Sequence, residues 1–210
     1  MKRLLILTIC IAMVLGLTGC GCKNKDDPTL VDKKRVAITV DGNDVYLDEA
    51  KYYAYSSQAT YEVYYITNDE DVDWNEKVEG STLQGVVKGN TLDDICRREC
   101  FYDKRKEFNV KLDKDEKKEV DKKVKNYFSE SSQKLKDKIG ISRKRLKEVF
   151  TKDAIAQKVE DIMEANEKGS AGKYCKDWID DASVNCNDCW AQIQFDTHIF
   201  DKKDIETVAI

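Results

Sequence analysis

Cysteines, tyrosines and one histidine are the side chains in this chain whose chemistry could reach beyond packing. There are eight cysteines in 210 residues. Cys96 and Cys100 stand one helical turn apart, and Cys186-Asn-Asp-Cys189 is a C-x-x-C pair. Structural disulfides are one reading, although residues at i and i+4 on a helix sit near the outer limit of the Cα separation a disulfide allows. A redox pair at Cys186 and Cys189 is a second. A thioredoxin-like site, however, needs a βαβ setting and a nearby cis-proline, and the single proline is Pro28, far along the chain. A zinc site from Cys96, Cys100, Cys186 and Cys189 is a third. The x2 spacing suits it, the x3 spacing on a helix less so. Free or partly paired cysteines are the preferred reading, with no metal and no cofactor.

The remaining reactive types build no catalytic set. His198 is the one histidine, and it reads as a surface residue. The acids at Asp69-Glu-Asp71 and Asp73 lack the spacing and the glycine of a calcium loop. There is no G-x-S-x-G and no phosphate loop, so neither an acyl-transfer enzyme nor a nucleotide-binding protein is expected. Tyrosine is the outlier: seven of ten lie between Tyr46 and Tyr65. Aromatic rings with a polar tip give contact area at little rotamer cost. Tyr52, Tyr55, Tyr64 and Trp74 are therefore the candidate polypeptide-binding residues, with packing against neighbouring helices as the plain alternative.

The elements that position them begin with Val36–Val40, apolar and β-branched. Asp41-Gly42 suits a tight turn, and Val45 and Leu47 resume the apolar run. From Leu47 the period changes to helical, with Leu47, Ala50, Ala54, Ser57, Tyr61 and Tyr65 on one stripe. Residues 67–81 are acidic and turn-rich and read as a loop. Gly85 and Gly89 weaken a helix at Leu83–Val87, so the next helix is expected from a capping start at Thr91 to about Phe108. Asp113-Lys-Asp-Glu116 opens another, running to Gly140. Ser142 caps a further helix with Leu146, Val149, Ile155, Val159 and Ile162 inward. Tyr174, Trp178 and Ile179 mark a short helix. Val184–Cys186 and Ile193–Phe195 alternate as strands do. The fold class is mainly α, with a small β element.

The N-terminus supplies an address. Lys2-Arg3 precedes the apolar Leu4–Leu17, too short for a comfortable membrane span. Leu17-Thr18-Gly19-Cys20 resembles the bacterial lipobox. That resemblance implies cleavage before Cys20, diacylglyceryl attachment at Cys20 and stable anchoring by acyl chains. Residues 1–19 are then the signal peptide and 20–35 a polar tether. Cys10 leaves with the leader, and Cys22, Cys96, Cys100, Cys175, Cys186 and Cys189 remain as thiols of an exported protein, consistent with a low-oxygen habitat. Of 36 basic residues, loss of Lys2 and Arg3 leaves 34 against 40 acidic, a net charge of −6. A mildly acidic body argues against nucleic acid as a partner. The expected location is the outer face of the cell membrane of a Gram-positive organism.

The opening strand, Asp41-Gly42 turn, short return and Leu47-Asp48-Glu49 helix start resemble the SurA/PrsA-type N-terminal chaperone domain. Gly140-Ile141-Ser142 with Leu146 is similar to its later helix junction. The resemblance covers about residues 36–165 and implies a helical body that holds unfolded or exported polypeptides. It also implies that late chain returns to pair near the first strand, so the β element is built from the two ends, with Trp190, Ile193 and Phe195 closing the core. The domain is set at 36–196, followed by a C-terminal tail at 197–210 whose last ten residues are loose. The length left leaves no room for a parvulin isomerase domain, and one histidine does not match its site. The implied function is a non-catalytic chaperone or foldase-like lipoprotein. The alternative is a structural or partner-specific scaffold of the cell envelope.

Overall fold

Four apolar residues in a five-residue strand, which a hairpin alone cannot cover, explain the centre of the fold. The strand β1 (Val36–Val40) pairs antiparallel with β2 (Asn43–Tyr46), and Ala37, Ile38 and Val40 are buried. The turn between them holds Asp41 at φ 48° and Gly42 at φ 81°, the two left-handed central residues that match hairpin twist. A short late strand, β5 (Val184–Cys186), lies antiparallel on the other edge of β1, with Ile38 opposite Cys186 and Val40 opposite Val184. The sheet order is β2-β1-β5, so the two ends of the domain meet as expected. Asn187 fastens the join, its backbone N–H donating to Ala37 at 2.9 Å and its side-chain amide to the Val36 carbonyl at 2.9 Å. The computed structural model describes residues 35–200 apart from residue 79. The leader, Cys20, the tether and residues 201–210 lie outside the described residues.

Helices surround this sheet and make the protein mainly α. They are α1 (Leu47–Thr67), α2 (Leu83–Asp103), α3 (Lys114–Glu130), α4 (Gln133–Ile139), α5 (Arg143–Asn166), α6 (Ser170–Asp181) and α7 (Asp188–Ala191). One core cluster joins β1, α1, α2, α4 and α5 with Trp190, Ile193, Phe195 and Ile199. A smaller one joins Cys100, Phe101, Val110, Ala156, Val159, Ala171 and Cys175. Among the described residues no helix is long and apolar enough to cross a membrane.

Several boundaries differ from expectation, each for a local reason. The stretch 67–81 is not all loop, because β3 (Lys77–Val78) and β4 (Ser81–Thr82) form a short hairpin. The second helix starts at Leu83, and Thr91 is buried in its middle. Its cap is Thr82, whose hydroxyl accepts from the Gly85 N–H at 3.1 Å. A Cβ on residue 85 would collide with the Ser81 hydroxyl, so Gly85 permits this start rather than weakening it. The helix opened by Asp113 ends at Glu130. Ser131 and Ser132 are both extended, and the Ser132 hydroxyl accepts from Leu135 N–H at 3.2 Å to start α4. Ile193–Phe195 is irregular, not a strand, although both apolar side chains are buried. The packed body also passes the expected end at 196: Ile199 is buried in the main core, so the tail does not begin at 197.

Sequence signals that act within one turn are where expected. Asp113 and Glu116 form a full capping box, and Ser142 accepts from Arg145 N–H at 3.2 Å. Gly140 ends α4 at φ 67°, in the left-handed region, with open space around its missing side chain. Gly140→Ala is expected to cost about 1 kcal/mol from backbone strain alone. A urea titration that showed no loss would remove this account of the stop.

Candidate functional site

Helix α1 begins with Leu47-Asp48-Glu49, and these two acids do more than complement a helix dipole. The fold turns them inward, and Asp48 and Glu49 are buried against α5. Lys152 of α5 reaches Glu49 at 3.5 Å and also pairs with Glu99 of α2. Arg145 of α5 lies 3.5 Å from Asp48. Arg98 of α2 holds Asp153 at 3.1 Å, and the Tyr53 hydroxyl donates to the same Asp153 oxygen at 2.8 Å. An ionic chain thus ties α1, α2 and α5 together through their facing sides. Unpaired, any of these charges would be strongly disfavoured in the interior.

Two small clefts open along this chain. One, about 220 Å³, has Glu49, Tyr102, Arg145 and Lys152 in its walls. Burial pushes the Glu49 carboxyl up to about 7, Lys152 pulls it down and Glu99 pushes it up again. Burial alone would lower Lys152, but Glu49 and Glu99 reverse this and hold it cationic. Lys152 therefore stays an ammonium ion and is no amine nucleophile, while Glu49 can exchange one proton near neutrality.

The other cleft, about 170 Å³, lies between α1, α2 and α5. Tyr52 forms an aromatic wall, and Ser56, Ser57, Thr60 and Thr91 supply hydroxyls. Thr91 donates to the Val87 carbonyl at 2.8 Å and sits 3.0 Å from the Ser57 oxygen. Asp94, Arg98 and Asp153 add charge at the floor. Burial holds the Asp153 carboxyl above its ordinary range, against the opposing pull of Arg98 and the Tyr53 hydroxyl. Burial, then the Asp153 charge, pushes the Tyr52 phenol up to about 12, so it remains a neutral donor. The arrangement offers hydrogen-bond donors and acceptors beside one ring, which suits a polypeptide backbone with a small or aromatic side chain.

The four residues singled out as a binding set do not form one surface. Tyr52 is half-buried and packs edge-on against Tyr127 at 6.0 Å and Phe150 at 5.6 Å. Tyr55 and Trp74 are core residues, not binding residues. Both rings meet Phe195, at 6.2 and 4.8 Å. The reason is the late segment: Phe195 fills the space that would otherwise leave these rings open. Tyr64 is 60% exposed, stacked edge-on with Tyr65 at 5.8 Å near the far end of α1. His198 is half-exposed, with Nδ1 3.4 Å from the Glu62 carboxylate.

The sequence shows no paired acids, yet the structure assembles Asp48, Glu49, Glu99 and Asp153. Their partners are Arg98, Arg145 and Lys152, residues that read as a solvated helical face. No one-dimensional signal separates them from their exposed neighbours. Cys96 and Cys100 do not join Cys186 and Cys189 in a metal site. Among the described residues no group of three or more His, Cys, Asp or Glu side chains is arranged to hold a metal. Cys96, Cys100, Cys175 and Cys186 are free thiols, and the Cys189 thiol donates to the Val36 carbonyl at 3.2 Å.

No protein-family model, no curated protein and no solved structure matches this chain.

Proposed function

We propose that the protein is a polypeptide-binding lipoprotein of the chaperone or foldase kind, anchored through Cys20 at the outer face of the cell membrane. It works without catalysis, cofactor or nucleotide, and it engages a restricted set of exported polypeptides rather than unfolded chains in general. The burial of Tyr55 and Trp74 carries this reading. Among the described residues the exposed large apolar side chains are Val63, Tyr64 and Val184. A general holdase needs an apolar surface of roughly several hundred Å², and these three side chains fall well short. Of the two clefts, the one beside Tyr52 combines a ring with hydroxyls and charges, which reward a particular partner and penalise a mismatched one.

A general holdase is the second reading. The exposure of Tyr64 beside Tyr65 and Val63 favours it. The two separate in an aggregation assay with an unrelated, chemically unfolded protein and the body from residue 23 onward. Restricted binding predicts unchanged aggregation at molar excess. Suppression at near-equimolar ratio would overturn it and establish the holdase.

A further inference from the structure

We propose that Cys100 and Cys175 form a disulfide that latches α6 onto α2. Cys100 lies on the inner face of α2 and Cys175 midway along α6, and both are buried in the smaller core cluster with Phe101, Val159 and Ala171. The two thiols interact directly. That contact, then burial, pushes the Cys100 thiol up, and the same contact holds Cys175 down against burial, helped by the Arg97 guanidinium. Arg97 is itself held by its ion pair with Glu160. Cys175 is thus the more easily ionised of the two and Cys100 the partner that holds its proton more tightly. The other thiols differ. Burial pushes Cys96 up to about 12 and also raises Cys186, which keeps both protonated and slow to react.

The oxidant required is a small-molecule disulfide. The Cys175 thiolate attacks one of its sulfurs, the S–S bond breaks and the first thiolate leaves. Cys100 then gives its proton to solvent and attacks the Cys175 sulfur, and the second thiolate leaves. Two protein thiols are oxidised and one small disulfide is reduced to two thiols. Both cysteines are covered, so the exchange proceeds when α6 lifts from α2. Gly169, at φ 80°, precedes α6, and β5 follows it after Ala182 and Ser183. The bond spans 75 positions of chain, from 100 to 175, and fixes the segment that delivers β5 to β1. An oxidising surrounding rests on the outer-face reading above, whereas the bond itself is tested independently of it.

The test uses the full-length chain, purified with reductant and then exposed to oxidised glutathione. Free thiols are capped with iodoacetamide, and the digest is mapped by mass spectrometry without reduction. The expected result is a peptide pair joined through Cys100 and Cys175 and short of two hydrogens, with Tm raised by about 5–10 °C. Cys175→Ser removes both effects, and Cys96→Ser leaves both in place. Circular dichroism verifies the fold of each variant, and the wild-type map needs neither. Recovery of Cys100 and Cys175 as alkylated thiols, as separate glutathione adducts or joined to other cysteines overturns the proposal.

Discussion

Replacing Lys152 by methionine is expected to remove about 3–5 kcal/mol of stability near neutral pH, because it leaves buried carboxylates without their cation. Glu49 and Glu99 are both buried around this one ammonium group. Methionine keeps much of the volume, so the loss reports charge rather than a cavity. The pH dependence is the sharper readout. The folded-state Glu49 carboxyl is raised from 4.5 to about 7, so the folded protein holds a proton that the unfolded chain has released. The stability linked to that proton is fully present below 4.5 and is lost as pH rises through about 7. At one unit per 1.36 kcal/mol the full span is about 3 kcal/mol. Burial raises Glu99 as well, which acts in the same direction. Asp113 and Glu116 are held below the ordinary carboxylate range, by backbone hydrogen bonds and by Lys158 respectively, so what they contribute is lost only at more acid pH. Wild-type stability is therefore expected to be higher at pH 5 than at pH 8. Without Lys152 the carboxylates hold their protons to still higher pH, so the variant's penalty is largest at pH 8. Urea titrations at both pH values check this. Equal, small losses at the two would mean that water already solvates the pair.

The other large effect is at Glu62, also fully buried on α1. Its carboxylate collects three donors, the Gln58 amide at 2.7 Å, the Ile199 N–H at 2.7 Å and the Phe200 N–H at 3.0 Å, and His198 Nδ1 lies 3.4 Å away. One side chain thereby holds residues 198–200 against α1 and lets Ile199 reach the core. Glu62→Ala leaves two backbone N–H groups without an acceptor and the Gln58 amide with the Thr197 carbonyl alone, at 2.9 Å. Hydrogen bonds to a charged group are worth roughly 1.5–3 kcal/mol each, and they are not additive. The expected loss is about 3 kcal/mol, with amide exchange at Ile199 and Phe200 accelerated well beyond that of α1. Slow exchange retained at these two amides in the variant would show that Ile199 packing alone holds the segment.

The parts of this fold that could be read from residues are those decided within a few positions. The Asp41-Gly42 turn, the Leu47, Ala50 and Ala54 start of the α1 stripe, the Asp113 capping box, the Gly140 stop and the Ser142 cap are all local, whereas further along α1 buries Gln58, Ala59 and Glu62 and leaves the expected Ser57, Tyr61 and Tyr65 partly covered. The return of Val184–Cys186 to β1 was an expectation from resemblance, and the strand does pair there. What escaped depends on distant partners. Thr91 satisfies its hydroxyl inside α2 instead of starting it, because Thr82 and Gly85 supply an earlier start. Ser131 and Ser132 break an apolar period that continues on both sides. Trp74 and Tyr55 look like exposed aromatics until Phe195, more than a hundred positions later, covers them. Lys152 and Glu49 sit among dozens of lysines and acids, and only the packing of α5 on α1 and α2 selects them.

Site-specific photo-crosslinking in the envelope of cells making the protein tests the central claim most directly. A photoreactive residue would be placed at Thr60, on the rim of the Tyr52 cleft, and separately at Lys118 on the exposed face of α3. Binding through the cleft predicts a small, reproducible set of polypeptide adducts from position 60 and none of them from position 118. The same adducts from both positions, or none from position 60, would contradict it.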